Sequence, residues 1–127
     1  MIKTTLVSAE FSAAHFYKQK TWSDTENNAH FGKCFSKYGH GHNYFLEVGF
    51  QNTDSPLSEL KSKVQELVMT LDHQHLNFTI PEFSNMIPTT ENIAIYLFKR
   101  LHELCPTETL SPIRLYETKD LWVEIKP

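Results

Sequence analysis

The run His40-Gly41-His42-Asn43-Tyr44-Phe45-Leu46-Glu47-Val48-Gly49-Phe50 puts Tyr44, Leu46, Val48 and Phe50 on one parity. A period of two marks a strand with one buried face. Upstream, Val7, Ala9, Phe11 and Ala13 alternate with Ser8, Glu10 and Ser12, which reads as a second such strand. Between the two, residues 18–33 are polar and mixed, including Ser23-Asp24-Thr25-Glu26-Asn27-Asn28, and read as a long loop. Downstream, Asp54-Ser55-Pro56 reads as a helix start, with a capping side chain and then Pro in the first turn. Leu57, Leu60, Val64, Leu67, Val68 and Leu71 follow at helical spacing. Pro88-Thr89-Thr90-Glu91 opens a second helix, with Thr as the cap and Glu91 favourable at the positive end of its dipole. Ile93, Ala94, Leu97, Phe98, Leu101 and Leu104 form its apolar stripe, and Pro106 stops it. Ile113, Leu115 and Glu117 make a third strand and Leu121, Val123 and Ile125 a fourth, joined by a turn at Thr118-Lys119-Asp120. This order predicts an α+β fold, a four-stranded antiparallel sheet with two helices on one face. Two open sheet edges would remain, inviting pairing between subunits.

No repeat, low-complexity tract or Pro/Gly-rich linker interrupts the 127 residues, so residues 1–127 read as a single domain. An apolar content of 40% argues against disorder. With 12 Lys+Arg against 15 Asp+Glu, a net charge of −3 and no basic run, the chain is a poor binder of nucleic acid or membrane surfaces. Its apolar runs are too short for a transmembrane span, and Met1-Ile2-Lys3-Thr4-Thr5-Leu6 lacks the core of a signal peptide. Cys34 and Cys105 do not make a disulfide framework, which points to a reducing, cytoplasmic setting.

Seven His is the unusual count. His40-Gly41-His42 runs into the strand, and if strand geometry begins there, both imidazoles share the face of Tyr44, Leu46 and Val48. His15 ends the first strand on the parity of Val7 and Phe11. If the strands pair, three neutral imidazoles could converge, a donor set suited to Zn²⁺ with an open position for water or substrate. The alternative is a His-Gly-His turn and an ordinary strand-end His15. His30, His75 and His102 have no such partners in the pattern.

Cys34 lies six residues before His40, flanked by Lys33 and Lys37, whose charge together with a nearby metal would favour the thiolate. Cys105, at an apolar helix end, reads as inert. Leu71-Asp72-His73 ends the first helix. Asp beside His can orient an imidazole for proton transfer, or His73 can simply be a cation at a helix C-terminus. Glu117 shares the apolar face of Ile113 and Leu115 and therefore needs a partner, either Arg114 or Lys119 or a ligand. A carboxylate can accept two parallel N–H bonds from a guanidine-like edge.

Phe11-Ser12-Ala13-Ala14-His15, Phe31-Gly32-Lys33-Cys34, Gly39-His40-Gly41-His42-Asn43-Tyr44, Leu71-Asp72-His73-Gln74-His75-Leu76-Asn77, Thr89-Thr90-Glu91-Asn92 and Tyr116-Glu117-Thr118 resemble, in order and across nearly the whole chain, the 6-pyruvoyl-tetrahydropterin synthase family. The resemblance implies the tunnelling fold, in which three subunits close a barrel and two trimers stack into a hexamer. It implies Zn²⁺ on His15, His40 and His42. It also implies catalysis by Cys34, Asp72 and His73, with the Asp–His pair supplied by a neighbouring subunit. Glu117 would anchor a pterin substrate, with Thr89, Thr90 and Glu91 nearby. The implied reaction is conversion of 7,8-dihydroneopterin triphosphate to 6-pyruvoyl-tetrahydropterin with loss of triphosphate. The alternatives are 6-carboxytetrahydropterin synthesis for queuosine, or a non-catalytic zinc- and pterin-binding protein. The six-residue spacing from Cys34 to His40 is similar to the pyruvoyl-forming branch, since the Cys of the carboxy-forming branch stands closer. One departure is a shorter segment between Tyr44 and Leu71. Lys18, Lys20, Lys33 and Lys37 are candidates to hold the triphosphate.

Overall fold

The computed structural model describes residues 1–127. β1 (Thr4–His15) and β2 (His40–Gln51) form a long antiparallel pair, in register from Thr4 opposite Gln51 to His15 opposite His40. The alternating pattern explains the register. Val7, Phe11 and Ala13 of β1 and Tyr44, Leu46, Val48 and Phe50 of β2 are all buried. A slip of one residue would turn the set to solvent. β5 (Ile113–Thr118) pairs antiparallel with β2, and β6 (Leu121–Ile125) with β5.

The sheet has six strands rather than the expected four. β3 (Gln74–His75) joins β1 in parallel, opposite Ala13 and Ala14, so the sheet is mixed rather than purely antiparallel. β4 (Thr109–Leu110) pairs with the end of β2 opposite Phe50 and Gln51. A two-residue strand is too short to show a period, so patterning misses both. The order β3-β1-β2-β5-β6 leaves most of β1 as one open edge and β6 as the other.

α2 (Leu57–Met69) and α4 (Thr90–Leu104) contribute Leu60, Val64, Leu67 and Val68, and Ile93, Ala94, Leu97 and Leu101, to the same buried cluster as the strands. Each Leu, Val or Ile among them, fully buried, is worth about 1.5–3 kcal/mol, so packing rather than propensity holds the helices. The start of α4 is as expected: Thr89 Oγ1 accepts the Asn92 N–H at 3.1 Å. The start of α2 is not. Pro56 itself is the N-cap residue and no side chain caps the helix. The hydroxyls before it do another job, Ser55 Oγ and Thr53 Oγ1 donating to Glu108 Oε1 at 2.6 and 2.8 Å.

The stretch expected to be a loop contains α1 (Asp24–Phe31) and a 3₁₀ turn at Gly32–Cys34. Ser23 Oγ caps α1 by accepting the Glu26 N–H at 3.1 Å. The helix buries only Asn27, whose side-chain amide donates to the carbonyls of Gln19, Trp22 and Ser23 at 3.0–3.3 Å. A helix pinned by one amide has no apolar stripe for a periodicity argument to find. A single turn, α3 (Leu76–Thr79), follows β3.

Candidate active site

The β1–β2 register sets His15 directly opposite His40 and Ala13 opposite His42. Parity puts all three imidazoles on the core side of the sheet at its end, so His-Gly-His is strand and not turn. The Nε2 atoms of His15 and His40 lie 3.2 Å apart, and one ring nitrogen of each of the three His falls within 4.8 Å of the others. Glu117 Oε1 lies 3.2 Å from His42 Nε2 and 3.8 Å from His15 Nε2. It lies on the parity of Ile113 and Leu115 in β5, at the point where the β5–β6 ladder is interrupted between Tyr116 and Thr118. The ion pair with Arg114 anticipated as one alternative for Glu117 does not form: Arg114 Nε bonds Glu124 Oε1 at 3.0 Å, and its guanidinium lies over the Trp122 ring.

His15 is completely buried. Burial first, then repulsion from His40, His42 and His75, pull its pKa down to about 3. Burial and then His42 also lower that of His40. Both rings are therefore neutral near pH 7, the protonation state a metal needs. Tyr44 Oη is 3.0 Å from His15 Nδ1. Burial, then the Glu117 charge, push the Tyr44 phenol above its ordinary range and keep it a hydroxyl. With His15 presenting the Nε2 lone pair to the cluster, Nδ1–H donates to Tyr44 Oη and the ring orientation is fixed. Tyr44 escaped the sequence reading as a site residue, although its parity with His42 was the available signal. His40 Nδ1 is buried without a partner. Three converging imidazole nitrogens with a carboxylate beside them fit a divalent ion of the Zn²⁺ type.

Cys34 is half-buried at the end of the 3₁₀ turn, and its carbonyl accepts the Tyr17 N–H at 2.7 Å. That bond ties the Cys34 turn to the chain just beyond His15. The Tyr17 ring lies 5.0 Å from the His15 ring. Burial, followed by Glu117, Cys34 and Glu91, pushes its phenol upward. Tyr17 was not anticipated, and a tyrosine two residues past a strand-end His gives no sequence signal. Thr89 spends its hydroxyl on the α4 cap, Thr90 is buried and Glu91 is exposed at the same helix start. Cys105 is buried, and burial raises its thiol pKa, in keeping with an inert role. Lys18 and Lys20 line a separate cavity with Phe78 and Met86, while Lys33 and Lys37 flank Cys34.

Asp72 and His73 come from the segment that follows α2. α2 stops at Met69, so the pair sits in a turn beyond the helix rather than at its end, which removes the helix-terminus explanation for His73. Asp72 Oδ1 accepts the Ser12 N–H at 2.8 Å and Oδ2 lies 2.9 Å from His73 Nδ1. These bonds, the Ser12 one first, hold the Asp72 carboxyl below its usual range. His73, at φ 60°, donates its N–H to the Ser12 carbonyl at 2.6 Å. The pair thus rides on the edge of β1, with the His73 side chain 82% exposed, and His73 lines one cavity together with Gly41, His42 and His75.

The family model for 6-pyruvoyl tetrahydropterin synthase matches residues 4–127. The chain belongs to this family. It is an enzyme of the family's lyase type. A 6-pyruvoyl tetrahydrobiopterin synthase of Pongo abelii is 39% identical over 116 residues, 85% of this chain and 80% of that one. The structure of the Caenorhabditis elegans 6-pyruvoyl tetrahydropterin synthase superposes with a TM-score of 0.91 at 32% identity, covering 100% of this chain and 96% of that one. A relative from Archaeoglobus fulgidus, provisionally named a 6-carboxy-5,6,7,8-tetrahydropterin synthase, is 31% identical over 94% of this chain and 92% of its own. No helix of this family member is long and apolar enough to cross a membrane.

Proposed function

We propose that the protein converts 7,8-dihydroneopterin triphosphate to 6-pyruvoyl-tetrahydropterin and triphosphate, with one Zn²⁺ per chain held by His15, His40 and His42. The observation that carries this is the convergence of three imidazoles with Glu117 3.2 Å from one of them and Cys34 tied to the neighbouring backbone. Bound Zn²⁺ would supply Lewis acidity, polarising the side-chain hydroxyls of the substrate. Glu117 accepts the paired N–H donors of the 2-amino-pyrimidinone edge, a charge-assisted bidentate contact. Thr89, Thr90 and Glu91 line the same end of the pterin subsite. Cys34, as thiolate, takes a proton from the substrate side chain. His73, oriented by Asp72, exchanges protons on the opposite face. Triphosphate leaves, and the pterin ring gains the electrons that the side chain loses.

His73 reaches a neighbour's substrate in this account, so the working unit is a trimer closed through the open edges of β1 and β6, two trimers forming a hexamer. The position of the Asp–His pair on the β1 edge supports this. Light scattering reads the assembly, and a stable, fully active monomer would contradict it. The free thiols suit the cytoplasm. A second reading keeps the same site and cleaves the side chain to give 6-carboxytetrahydropterin, favoured by the provisional name of the Archaeoglobus relative. Incubation with dihydroneopterin triphosphate and mass analysis separate the two: the pyruvoyl product is expected, the carboxy product favours the second reading, and unchanged substrate contradicts both.

A further inference from the structure

His75 has no part in the chemistry above, yet its place in the fold is specific. β3 sets it beside Ala14, one residue before His15. Its Nε2 lies 3.2 Å from the Tyr38 carbonyl, with Phe16 and Phe78 packed on the ring at centroid distances of 5.4 and 4.6 Å. The chain then passes through a gap with no room for a side chain. Gly39 has φ 81°, and a Cβ there would meet His75 Nε2 at 2.6 Å and the His15 carbonyl oxygen at 2.7 Å. The next residue is His40.

We propose that His75 is a positioning residue, its Nε2–H clamping the Tyr38–Gly39 turn so that His40 enters the triad in the right place. The segment from Cys34 to His40 is then fastened at both ends, by the Tyr17 N–H at Cys34 and by the His75 ring at Tyr38. The other ring nitrogen argues that this is more than packing. With the proton on Nε2, Nδ1 is a bare acceptor, and it is buried without a partner. An orphaned buried acceptor is a standing cost that an apolar ring of similar shape would not carry. A phenylalanine would fill the space between Phe16 and Phe78 at least as well, and only the hydrogen bond to Tyr38 would be lost.

The inference rests on the metal reading of the triad, and its test separates the two. His75→Phe removes the hydrogen bond and keeps the ring. His75→Gln returns an N–H donor at about the Nε2 position. The full-length variants are compared with wild type by backbone hydrogen exchange over residues 36–41, by melting temperature and by zinc affinity from chelator competition. His75→Phe is expected to exchange faster over that turn and to bind zinc about 2–10-fold more weakly, the worth of the one hydrogen bond lost. Its melting temperature should be unchanged or higher, and His75→Gln should recover both exchange and affinity. Wild-type zinc affinity in His75→Phe, unaltered exchange, or a Gln variant no better than Phe would each overturn the proposal. Failure of His75→Phe to fold would count against it too, because Phe relieves the orphaned nitrogen. A wild-type chain that takes up no zinc would remove the metal reading, and the clamp would then stand or fall on the exchange data.

Discussion

Replacing Gly39 with alanine should damage the fold and the triad together. The left-handed conformation at φ 81° costs a non-glycine residue about 1–2 kcal/mol. The new Cβ would also sit 2.6 Å from His75 Nε2 and 2.7 Å from the His15 carbonyl oxygen. The second contact is backbone and cannot yield without opening the His15–His40 end of the β1–β2 ladder, and overpacking of this kind costs about 1–3 kcal/mol. The sum is roughly 2–5 kcal/mol. Unfolding entropy near the midpoint is about 2.1 cal/mol/K per residue, so for 127 residues each kcal/mol moves Tm by about 4 °C. Gly39→Ala should therefore melt roughly 8–19 °C below wild type. Gly32→Ala is the control, since Gly32 also has positive φ (54°) but an added Cβ there meets nothing within 4 Å. It should lose only a conformational part, about 1–3 kcal/mol for its φ 54°, ψ −125° backbone, or roughly 4–11 °C. Calorimetry on metal-free protein measures both, and zinc titration should show the triad weakened in Gly39→Ala alone. Equal melting temperatures for the two variants would refute the close approach as the cause.

Three further outcomes are expected. Glu117→Gln should lose about 1.5–3 kcal/mol of pterin binding, roughly 10–150-fold in Kd by fluorescence titration, with zinc content intact; unchanged affinity would make Glu117 a structural partner of His42. Cys34→Ala should lose about 10²–10⁴-fold in turnover while keeping zinc and pterin affinity, and Cys105→Ala, altered only in the core, should keep turnover; equal losses would indicate general damage. In metal-free protein the buried His15, at about 3 when folded, has its ordinary 6.5 when unfolded. Its contribution is fully present above pH 6.5, and as pH falls towards 3 the unfolded chain takes up a proton that the folded chain refuses. Stability should then drop by up to about 1.4 kcal/mol per pH unit. A urea midpoint that does not move between pH 7 and 5 would contradict this.

The triad was legible because strand parity and pairing are properties of sequence pattern: residues i and i+2 of β2 and the last residue of β1 can only share a face. The cap at Thr89 was legible for a similar local reason. What stayed hidden depended on contacts across the chain. α1 is held by one buried Asn27 rather than a stripe, and β3 and β4 exist only as two-residue pairings with strands far away in sequence. Glu117 showed its need for a partner by parity with Ile113 and Leu115, and its proposed role as a pterin anchor rests on resemblance. The Asp72–His73 pair was visible as a motif. Its placement on the β1 edge follows from where α2 ends and which backbone bonds Ser12 offers.

The central claim, that the three imidazoles carry a metal used in pterin chemistry, is tested most directly by triphosphate release from 7,8-dihydroneopterin triphosphate. Four preparations are compared for turnover and bound metal: wild type loaded with zinc, wild type stripped by chelator, the stripped protein returned to zinc, and His42→Ala. Activity should vanish on stripping and return with zinc, and His42→Ala should be both metal-poor and inactive. Full turnover in the stripped chain, or full zinc content and turnover in His42→Ala, would contradict the account.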